Sequence, residues 1–361
     1  MEDQHVNPGF LRRNAAPLGA SLLLAVALGW VLQHGGLPYL PPAGTFEHLD
    51  VLAFTGFVLG MLFHVITRSC RYHFLIVSVA RLPMRRIITI NLIGMAFITF
   101  LPFRLGEAAR PAMLREKGHL SGWAVMGTVG AERILDGIVF SAMLLLGLGL
   151  STPQSPLPER IGNLPISAAL VPRVGVVASV GFGAAFLVMA AFYFYRSFAR
   201  RMTERIVGIV SHSLALKLAD VVERVSDGLR FLVNVRHTVP YLAVTLVSVA
   251  GHVWAIQLLA DAVGLPELSF TESMVVVGVL ALGFAVPNAP GFFGAVQLAL
   301  YAGLAVYIAP DKVIHEGAAL VFLFYITYLG LVVVLAAIAS VVELVAKRSG
   351  SGRVDGPIPV Q

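Results

Sequence analysis

The sequence predicts an all-α, polytopic transmembrane helix bundle with two inverted repeats, each containing a re-entrant helical hairpin. Hydrophobic residues make up 57% of the 361 residues and charged residues only 13%, against about 25% charged in soluble domains, and the mean hydropathy is +0.83. Long apolar runs alternate with loops that are either basic or free of Lys and Arg, which is typical of spans that cross back and forth. Two other apolar runs are too short to cross, and both end in a turn.

The two short runs lead into stretches that resemble each other, FLPFRLGEAAR at 100–110 and AVPNAPGFFGAVQ at 285–297. The prolines at 102 and 287 are separated by the same offset as the glycines at 106 and 291. Proline and glycine are common in this chain, so the likeness gains its weight from where the stretches lie in the topology. The predicted structural turns are Pro102, Gly106, Pro287, Pro290 and Gly294.

The N-terminal half, 1–195, begins with a retained first helix at 15–32, because no small-x-small cleavage site follows the apolar run. Arg12 and Arg13 precede this run and the loop after it has no Lys or Arg, which places the N-terminus in the cytoplasm. A second span, 49–66, is followed by a basic stretch that predicts a cytoplasmic loop. The arginines of this stretch are Arg68, Arg71, Arg81, Arg85 and Arg86.

The first short run, 87–101, has 15 residues, or about 22 Å of helix, against a hydrocarbon core of ~30 Å. Basic residues on both sides place both of its ends in the cytoplasm. We therefore predict a re-entrant hairpin over 87–117 that enters from the cytoplasmic face. Two ordinary spans, 122–150 and 166–195, complete this half.

A strongly basic segment, 196–238, separates the halves and is predicted to be a cytoplasmic linker. Its apolar residues recur at spacings of three and four, which predicts an amphipathic helix on the membrane surface or on the bundle. They are Leu214, Leu218, Val221, Val222, Val225, Leu229 and Leu232.

The C-terminal half, 239–346, repeats the pattern in the opposite orientation. A span at 240–263 runs outward, and the last span, 317–345, ends at basic residues that place the C-terminus in the cytoplasm. The chain between them must go in and come back, which predicts a second hairpin over 273–309 that enters from the outer face. Inverted repeats with broken helices are typical of transporters. Eight ordinary spans, two of them short, are the alternative, and 347–361 is predicted to be a disordered tail.

Three charged residues lie inside the fourth apolar segment: Glu132, Arg133 and Asp136. Glu132 comes ten residues after Gly122, about 15 Å along a helix, where each charge costs at least ~2.5 kcal/mol. Glu132 and Asp136 share a helix face, and Arg133 is spaced to pair with Asp136. The cluster is either a self-neutralised structural element or a site for a charged lipid head group or for protons. The cost of charges inside a membrane favours the functional interpretation.

Arg104, Glu107 and Arg110 follow the first turn at spacings of three, which places them along one helix face. The two arginines are suited to bind a phosphate, and Glu107 can pair with Arg133. A solvated cytoplasmic face that only sets the topology is the alternative.

Glycine and proline at the second turn allow a tight reversal that exposes backbone amides to a ligand, so Asn288 and Gly291 are candidate substrate contacts. A simple interhelical turn is the alternative. Gln297, one helical turn further on, is also a candidate, with an interhelical hydrogen bond as the alternative.

Other kinds of site are not indicated. The single cysteine, Cys70, excludes an internal disulfide and a multi-cysteine metal site. The chain has no H-E-x-x-H, P-loop or G-x-S-x-G motif. We expect no catalytic residue, no metal and no cofactor. We also expect no nucleic-acid partner, because the net charge of +6 lies mostly in loops, where it reports orientation.

Taken together, the motifs resemble the lysylphosphatidylglycerol synthase transmembrane-region family, also called flippase-like domain proteins. P-x-R-L-G-E-x-x-R at 102–110, E-R-x-x-D at 132–136 and P-x-x-P-G-x-x-G at 287–294 carry the resemblance, which covers about 15–345. It implies a membrane domain that moves a lipid between leaflets, with a phospholipid, hopanoid or glycolipid as substrate. Two departures are the absence of an aminoacyl-transferase domain, so we expect no lysyl transfer, and Gln297, where members often carry Glu.

The leading hypothesis is a multi-pass protein of a bacterial inner membrane, with both termini cytoplasmic, that binds and translocates a lipid or a lipid-linked head group. In this hypothesis Arg104, Arg110 and Arg133 neutralise a phosphate. A membrane-embedded lipid-modifying enzyme, with Glu132 or Asp136 as general base, is one alternative. A non-transporting accessory subunit of a lipid or glycolipid pathway is another, and homo-oligomerisation is left open.

Overall fold

The chain is mainly helical in the part that the computed structural model describes, without a β-strand in that part. The described residues are 8–348, except for 43, 78–81, 102–105, 119–121, 196, 198–200, 203, 206–228, 230–232 and 286–288. The helices are α1 Pro8–His34, α2 Val51–Ile76, α3 Met84–Phe100, α4 Ala109–Gly118, α5 Gly122–Leu150, α6 Leu170–Phe194, α7 Val235–Ala262, α8 Phe270–Ala285, α9 Ala295–Leu304, α10 Pro310–Ile314 and α11 Glu316–Arg348, with a 3₁₀ turn at Pro290–Phe292.

Five helical segments in the described part are long and apolar enough to cross a membrane: α2, α5, α6, α7 and the continuous stretch of α10 and α11. This confirms the predicted all-α bundle with several candidate spans. α2 begins at Asp50, whose side chain accepts hydrogen bonds from the backbone N–H groups of Leu52 and Ala53. Such a cap satisfies donors that the first turn of a helix leaves unpaired.

The second span is longer than predicted. α2 continues beyond the predicted end at Ile66 to Ile76, so the prediction that Arg68 and Arg71 lie in a loop is wrong. Both lie within the helix, and Arg71 is only 3% exposed. The physical reason is that acidic side chains of α5 compensate these positive charges, which lets a charged stretch continue as a buried helix.

A pair of short helices, α3 and α4, follows α2. They are antiparallel, because Gly94 of α3 lies against Arg110 of α4 while Gly106, just before α4, lies against the backbone of Phe97. A β-carbon at position 106 would meet the carbonyl group of Phe97, so only glycine lets the chain approach α3 this closely.

A second pair, α8 and α9, follows α7 in the same way. Gly283 lies against Ala299 and Gly303 lies against Val276, so these helices are also antiparallel. The 3₁₀ turn and two glycines with positive φ angles, Gly291 at 71° and Gly294 at 83°, reverse the chain between them.

All four of these helices are shorter than a transmembrane span. α3 has 17 residues and α8 has 16, which is about 25 Å of helix each. α4 and α9 have 10 residues each, or about 15 Å, against a hydrocarbon core of ~30 Å.

The helices pack in a regular arrangement: α2 lies along α7, α5 packs on α8 and on α6, and α3 packs on α11. At the α2–α7 contact, Gly60 lies against Ala255 and Gly56 against Leu258, so the two backbones approach closely. α6 is peripheral. Only 11% of its most apolar stretch is buried inside the bundle, so most of the helix surface faces outward.

Several predicted features lie outside the described residues. They are Pro102 and Arg104 of the first turn, Pro287 and Asn288 of the second, the apolar linker residues Leu214, Leu218, Val221, Val222, Val225 and Leu232, and the tail beyond Arg348.

Candidate functional site

A cavity of about 420 Å³ lies inside the bundle, within the range of roughly 300–1,000 Å³ that is common for small-molecule sites. Residues from both turn regions line it: Glu107, which follows Gly106, and Phe292, which follows Gly291. The cavity therefore lies between the two short helix pairs.

One wall of the cavity is charged. α2 contributes His64 and Arg68, which are four residues apart and share a face. α5 contributes Glu132, Arg133 and Asp136. The short segment before α4 and the first turn of α4 add Glu107 and Arg110.

Arg71 is buried next to this charged wall and binds two of its acidic residues. Its Nη2 donates a hydrogen bond to Asp136 Oδ2 at 2.7 Å, and its Nη1 lies 2.7 Å from Asp136 Oδ1. Nη1 also donates to the Thr245 hydroxyl of α7 at 2.9 Å, and Glu132 Oε1 lies 3.4 Å from Nη2. The guanidinium lies over the ring of Tyr241, 5.1 Å from its centroid, a cation–π arrangement.

Arg110 occupies a similar position on the other side of Glu132. Its Nη1 donates to Glu132 Oε2 at 2.8 Å and to the amide oxygen of Asn91 at 3.0 Å. The guanidinium lies over the ring of Tyr72, 5.0 Å from the centroid. Glu132 is therefore held between two buried guanidinium groups, Arg71 and Arg110.

The remaining two arginines are held less closely. Arg133 Nε lies 3.3 Å from Glu107 Oε1, which confirms the predicted pairing of these residues. Arg133 does not make the alternative pair with Asp136, whose carboxylate is engaged by α2. Arg68 Nη2 lies 3.7 Å from Asp136 Oδ2, beyond hydrogen-bond length.

Most of the remaining lining, which we call the apolar wall, is apolar and rich in aromatic rings. These residues come from α5, α6, α8, the 3₁₀ turn and α11: Phe140, Phe182, Phe284, Phe292, Phe324 and Tyr328. Phe284 meets Phe292 edge-on with centroids 4.9 Å apart, and the rings of Phe324 and Tyr328 are parallel at 6.3 Å. The lining of the cavity is thus amphipathic, because it combines ion pairs with aromatic surface.

Two histidine rings also line the cavity. His64 of α2 and His252 of α7 have centroids 4.4 Å apart, and His252 stacks on Phe324 at 6.2 Å. His64 Nδ1 lies 2.9 Å from the carbonyl oxygen of Ser248, to which it donates, while the Ser248 hydroxyl donates to the carbonyl of His64. Neither ring nitrogen of His252 has a hydrogen-bond partner within the described part of the chain.

The described residues of the second turn have mainly local contacts. Gln297 is 3% exposed, and its Oε1 accepts a hydrogen bond from the backbone N–H of Gly294 at 2.7 Å, which caps α9. Gly291 lies against the hydroxyl of Tyr325, and Pro290 begins the 3₁₀ turn. Among the described residues of the turn, Phe292 lines the cavity.

Arg71 and Arg68 are the principal residues that the sequence analysis placed elsewhere. A signal was present: His64, Arg68 and Arg71 fall at spacings of four and three, as on one helix face. In addition, the two acidic residues on α5 have only one arginine between them, so a second cation from another helix is needed to balance their charge. Among the described residues, no group of three or more His, Cys, Asp or Glu is arranged to hold a metal ion.

Long apolar helices around a charged, amphipathic cavity define an integral, multi-pass membrane protein with a candidate ligand site. The chain belongs to the family described as Lysylphosphatidylglycerol synthase TM region, which it matches over residues 18–336. No curated protein and no solved structure matches it.

Proposed function

We propose that this protein binds a membrane lipid in the cavity and translocates its head group between leaflets. The observation that carries this proposal is that charged and aromatic side chains line the same cavity. A ligand that fits both walls has a charged or polar end beside Glu132 and Arg133 and an apolar part beside Phe284 and Phe324. A membrane lipid has that construction.

The family supports the same interpretation, because the resemblance to it implies a membrane domain that moves a lipid between leaflets. Arg110 and Arg133, with Glu107, Glu132 and Asp136, form the head-group wall. Arg104 and Asn288 are proposed to complete it, since each lies a few residues from a lining residue, Glu107 or Phe292. Gly291 and Gln297 are proposed to contribute by shaping the turn that presents Phe292.

An inverted-repeat architecture is part of the proposal, and the helix bounds support it. Shifting three helices of the N-terminal half by the offset that relates Gly106 to Gly291 brings each to within one residue of a helix in the other half. The shifted bounds are 236–261 for α2 against 235–262 for α7, 269–285 for α3 against 270–285 for α8, and 294–303 for α4 against 295–304 for α9.

The packing supports the repeat independently. Exchanging α2 with α7, α3 with α8 and α5 with α11 leaves the α2–α7 contact unchanged. The same exchange converts the α5–α8 contact into the α11–α3 contact, which is also present. Such an arrangement is expected when two halves are related by a pseudo-two-fold axis.

The two halves carry different chemistry at equivalent positions. The offset between the two turns pairs Glu107 with Phe292, and both line the cavity. It also pairs Arg110 with Ala295 and Arg68 with Val253. The head-group wall thus belongs to the N-terminal half, and much of the apolar wall belongs to the C-terminal half.

In a bilayer, we propose that the two short helix pairs are re-entrant hairpins that enter from opposite faces. Their helix lengths of about 15 to 25 Å support this, because a hairpin that turns partway needs no full span. Irregular backbone at that depth is tolerated where it lines a cavity. The proposed location is a bacterial inner membrane, with both termini in the cytoplasm.

Translocation is tested in proteoliposomes that contain the purified protein and a trace of head-group-labelled phospholipid. The measurement is the fraction of label that a membrane-impermeant quencher reaches with time. We expect the protein to raise this fraction above that of protein-free vesicles. Glu132→Gln should abolish the increase, because it removes the negative charge that Arg71 and Arg110 share.

The matched control is Glu159→Gln, the same substitution at an exposed residue of the loop after α5. It should translocate like the wild-type protein. Size-exclusion profiles of both variants show whether the fold is kept. Equal translocation by Glu132→Gln and the wild type would contradict this site, and a chemically altered lipid in place of a redistributed one would favour an enzyme.

A further inference from the structure

We propose that Arg68, beside the His64–His252 ring pair, is the position that binds an oxyanion of the phosphate class, and that the lipid carried here therefore has a net negative charge. This inference rests on the proposed function and specifies its substrate class. It comes from the charge pairing, the accessibility of Arg68 and the unpartnered nitrogens of His252.

The charge pairing leaves one guanidinium in excess. Within the described part of the cluster there are four arginines and three acidic residues, which is a surplus of one positive charge. Asp136 is engaged by Arg71 at 2.7 Å, Glu132 by Arg110 at 2.8 Å, and Glu107 by Arg133 at 3.3 Å. The surplus falls on the remaining arginine, Arg68.

Arg68 makes only a distant contact with that cluster. The nearest acidic oxygen is Asp136 Oδ2 at 3.7 Å, and that same oxygen accepts a hydrogen bond from Arg71 at 2.7 Å. Asp136 is therefore a weak competitor for Arg68, because its charge is already compensated by a closer guanidinium.

Accessibility distinguishes Arg68 from the arginines that hold the cluster together. Its side chain is 35% exposed and lines the cavity. The side chains of Arg71 and Arg110 are only 4% exposed. A ligand in the cavity can reach Arg68 without breaking an existing hydrogen bond, whereas it would have to displace Glu132 or Asp136 to reach the others.

His252 gives a second, independent indication of a ligand. The residue is 6% exposed and lines the cavity, yet both ring nitrogens lack a partner among the described residues. Burying an imidazole without a hydrogen bond costs free energy. The ring lies against that of His64, with centroids 4.4 Å apart, and His64 is one helical turn from Arg68, so the imidazole is on the same part of the cavity lining as the available guanidinium.

A guanidinium binds phosphate oxygens in a bidentate manner, and an adjacent imidazole N–H adds a third donor. A cationic head group would instead bring a further positive charge toward a wall that already has one in excess. An anionic phospholipid head group compensates the surplus positive charge, whereas a zwitterionic head group compensates it only in part.

The test uses the full-length protein in detergent micelles and measures affinity by calorimetry for dioctanoyl phosphatidylglycerol, dioctanoyl phosphatidylcholine and inorganic phosphate. We expect the wild-type protein to bind the phosphatidylglycerol about tenfold more tightly than the phosphatidylcholine, in keeping with one charge-assisted contact. Arg68→Gln should remove that preference, and His252→Phe, which keeps the ring stack, should weaken it.

The matched control is Arg85→Gln, which makes the same change of net charge at an exposed residue of α3 and should keep the preference. Equal binding of both lipids by the wild type, or equal losses in Arg68→Gln and Arg85→Gln, would overturn the proposal. Tight, Arg68-dependent binding of inorganic phosphate without lipid preference would replace the lipid by the free ion and overturn the lipid assignment.

Two further comparisons keep the outcome interpretable. Arg68→Lys retains a cation and should keep most of the preference, and the wild-type lipid comparison decides the matter if Arg68→Gln does not fold. Translocation by the wild type without head-group preference would overturn this inference alone. A preference without translocation would instead contradict the proposed function.

Discussion

Arg71 joins three helices through a single guanidinium. It contacts Asp136 and Glu132 of α5 and Thr245 of α7, while its own backbone belongs to α2. Burying these charges is costly, and the cost is offset only where each charge keeps its partners. Removing one member of such a group therefore lowers the free energy of unfolding by more than the whole group contributes to it.

We expect Arg71→Met to lower the free energy of unfolding by about 3 kcal/mol or more, because it leaves two buried carboxylates short of a partner. Arg173→Met, at an exposed position of α6, should change it by less than about 0.5 kcal/mol. The measurement is denaturant unfolding of the purified protein in detergent.

The double variant Arg71→Met/Asp136→Leu supplies the control for this prediction. It removes both charges of the closest pair, so its loss of stability should be smaller than the sum of the two single losses by about 1–3 kcal/mol. Additive losses would show that the two residues contribute separately.

The acidic residues of the site were predictable from the sequence, whereas two of its arginines were not. Charges inside an apolar run are conspicuous, so Glu132, Arg133 and Asp136 could be identified, and the Glu107–Arg133 pair was predicted correctly. Arg71 was not identified, because an arginine just after an apolar run looks the same whether it ends a span or is buried by partners from another helix.

At the scale of elements, the first hairpin depends on the approach of Gly106 to the backbone of α3. A side chain there would meet the carbonyl group of Phe97 and the amide nitrogen of Ile98. Backbone atoms cannot change rotamer, so relief requires that the turn move away from α3.

Gly106→Ala should therefore lower the free energy of unfolding by about 1–3 kcal/mol, the usual cost of overpacking. The expected displacement of Glu107 should also reduce lipid translocation. Both effects are measured on the same purified variant, by denaturant unfolding and by the proteoliposome assay.

Gly130→Ala is the matched control, because a β-carbon at this position of α5 would meet nothing within 4 Å. It should be neutral or stabilising by up to about 1 kcal/mol, since alanine favours a helix interior. Equal behaviour of the two variants would mean that the close approach at Gly106 does not matter.

Element types were predictable from run length and spacing, whereas contacts between elements were not. The short runs at 87–101 and 273–286 correspond closely to α3 and α8. The structural role of Gln297, as a cap on Gly294, was not predicted, because a polar residue in an apolar stretch does not reveal whether its partner is local.

At the scale of the whole molecule, the proposed inverted repeat makes a prediction about sidedness. In a Cys70→Ser background, Gly118→Cys should react with a membrane-impermeant maleimide only from the cytoplasmic side. Pro310→Cys, after the second hairpin, should react only from the outside. The reason is that each re-entrant hairpin returns the chain to the side of the membrane from which it entered, and the two hairpins enter from opposite sides.

Arg348→Cys is the control, because the end of α11 should react from the cytoplasmic side, the side of Gly118. Reaction of Gly118→Cys from the outside, or of Pro310→Cys from the cytoplasm, would contradict the two-hairpin topology. It would favour eight ordinary spans instead.

The offset between the two turns could be predicted from four positions only, two prolines and two glycines. The cavity could not be predicted in the same way, since its walls come from helices far apart in the chain. Pairing α5 with α8 and α3 with α11 depends on three-dimensional packing that no local pattern records.

Gly60 has no side chain, which lets the two central helices, α2 and α7, approach each other closely. A β-carbon there would come within 2.9 Å of the Ala255 methyl group. His64 lies one helical turn from Gly60, and His252 lies three residues from Ala255, so any bulk added at position 60 would also part the two imidazole rings. The absence of a side chain at position 60 therefore sets how closely α2 and α7 approach each other and how far apart the two imidazole rings lie.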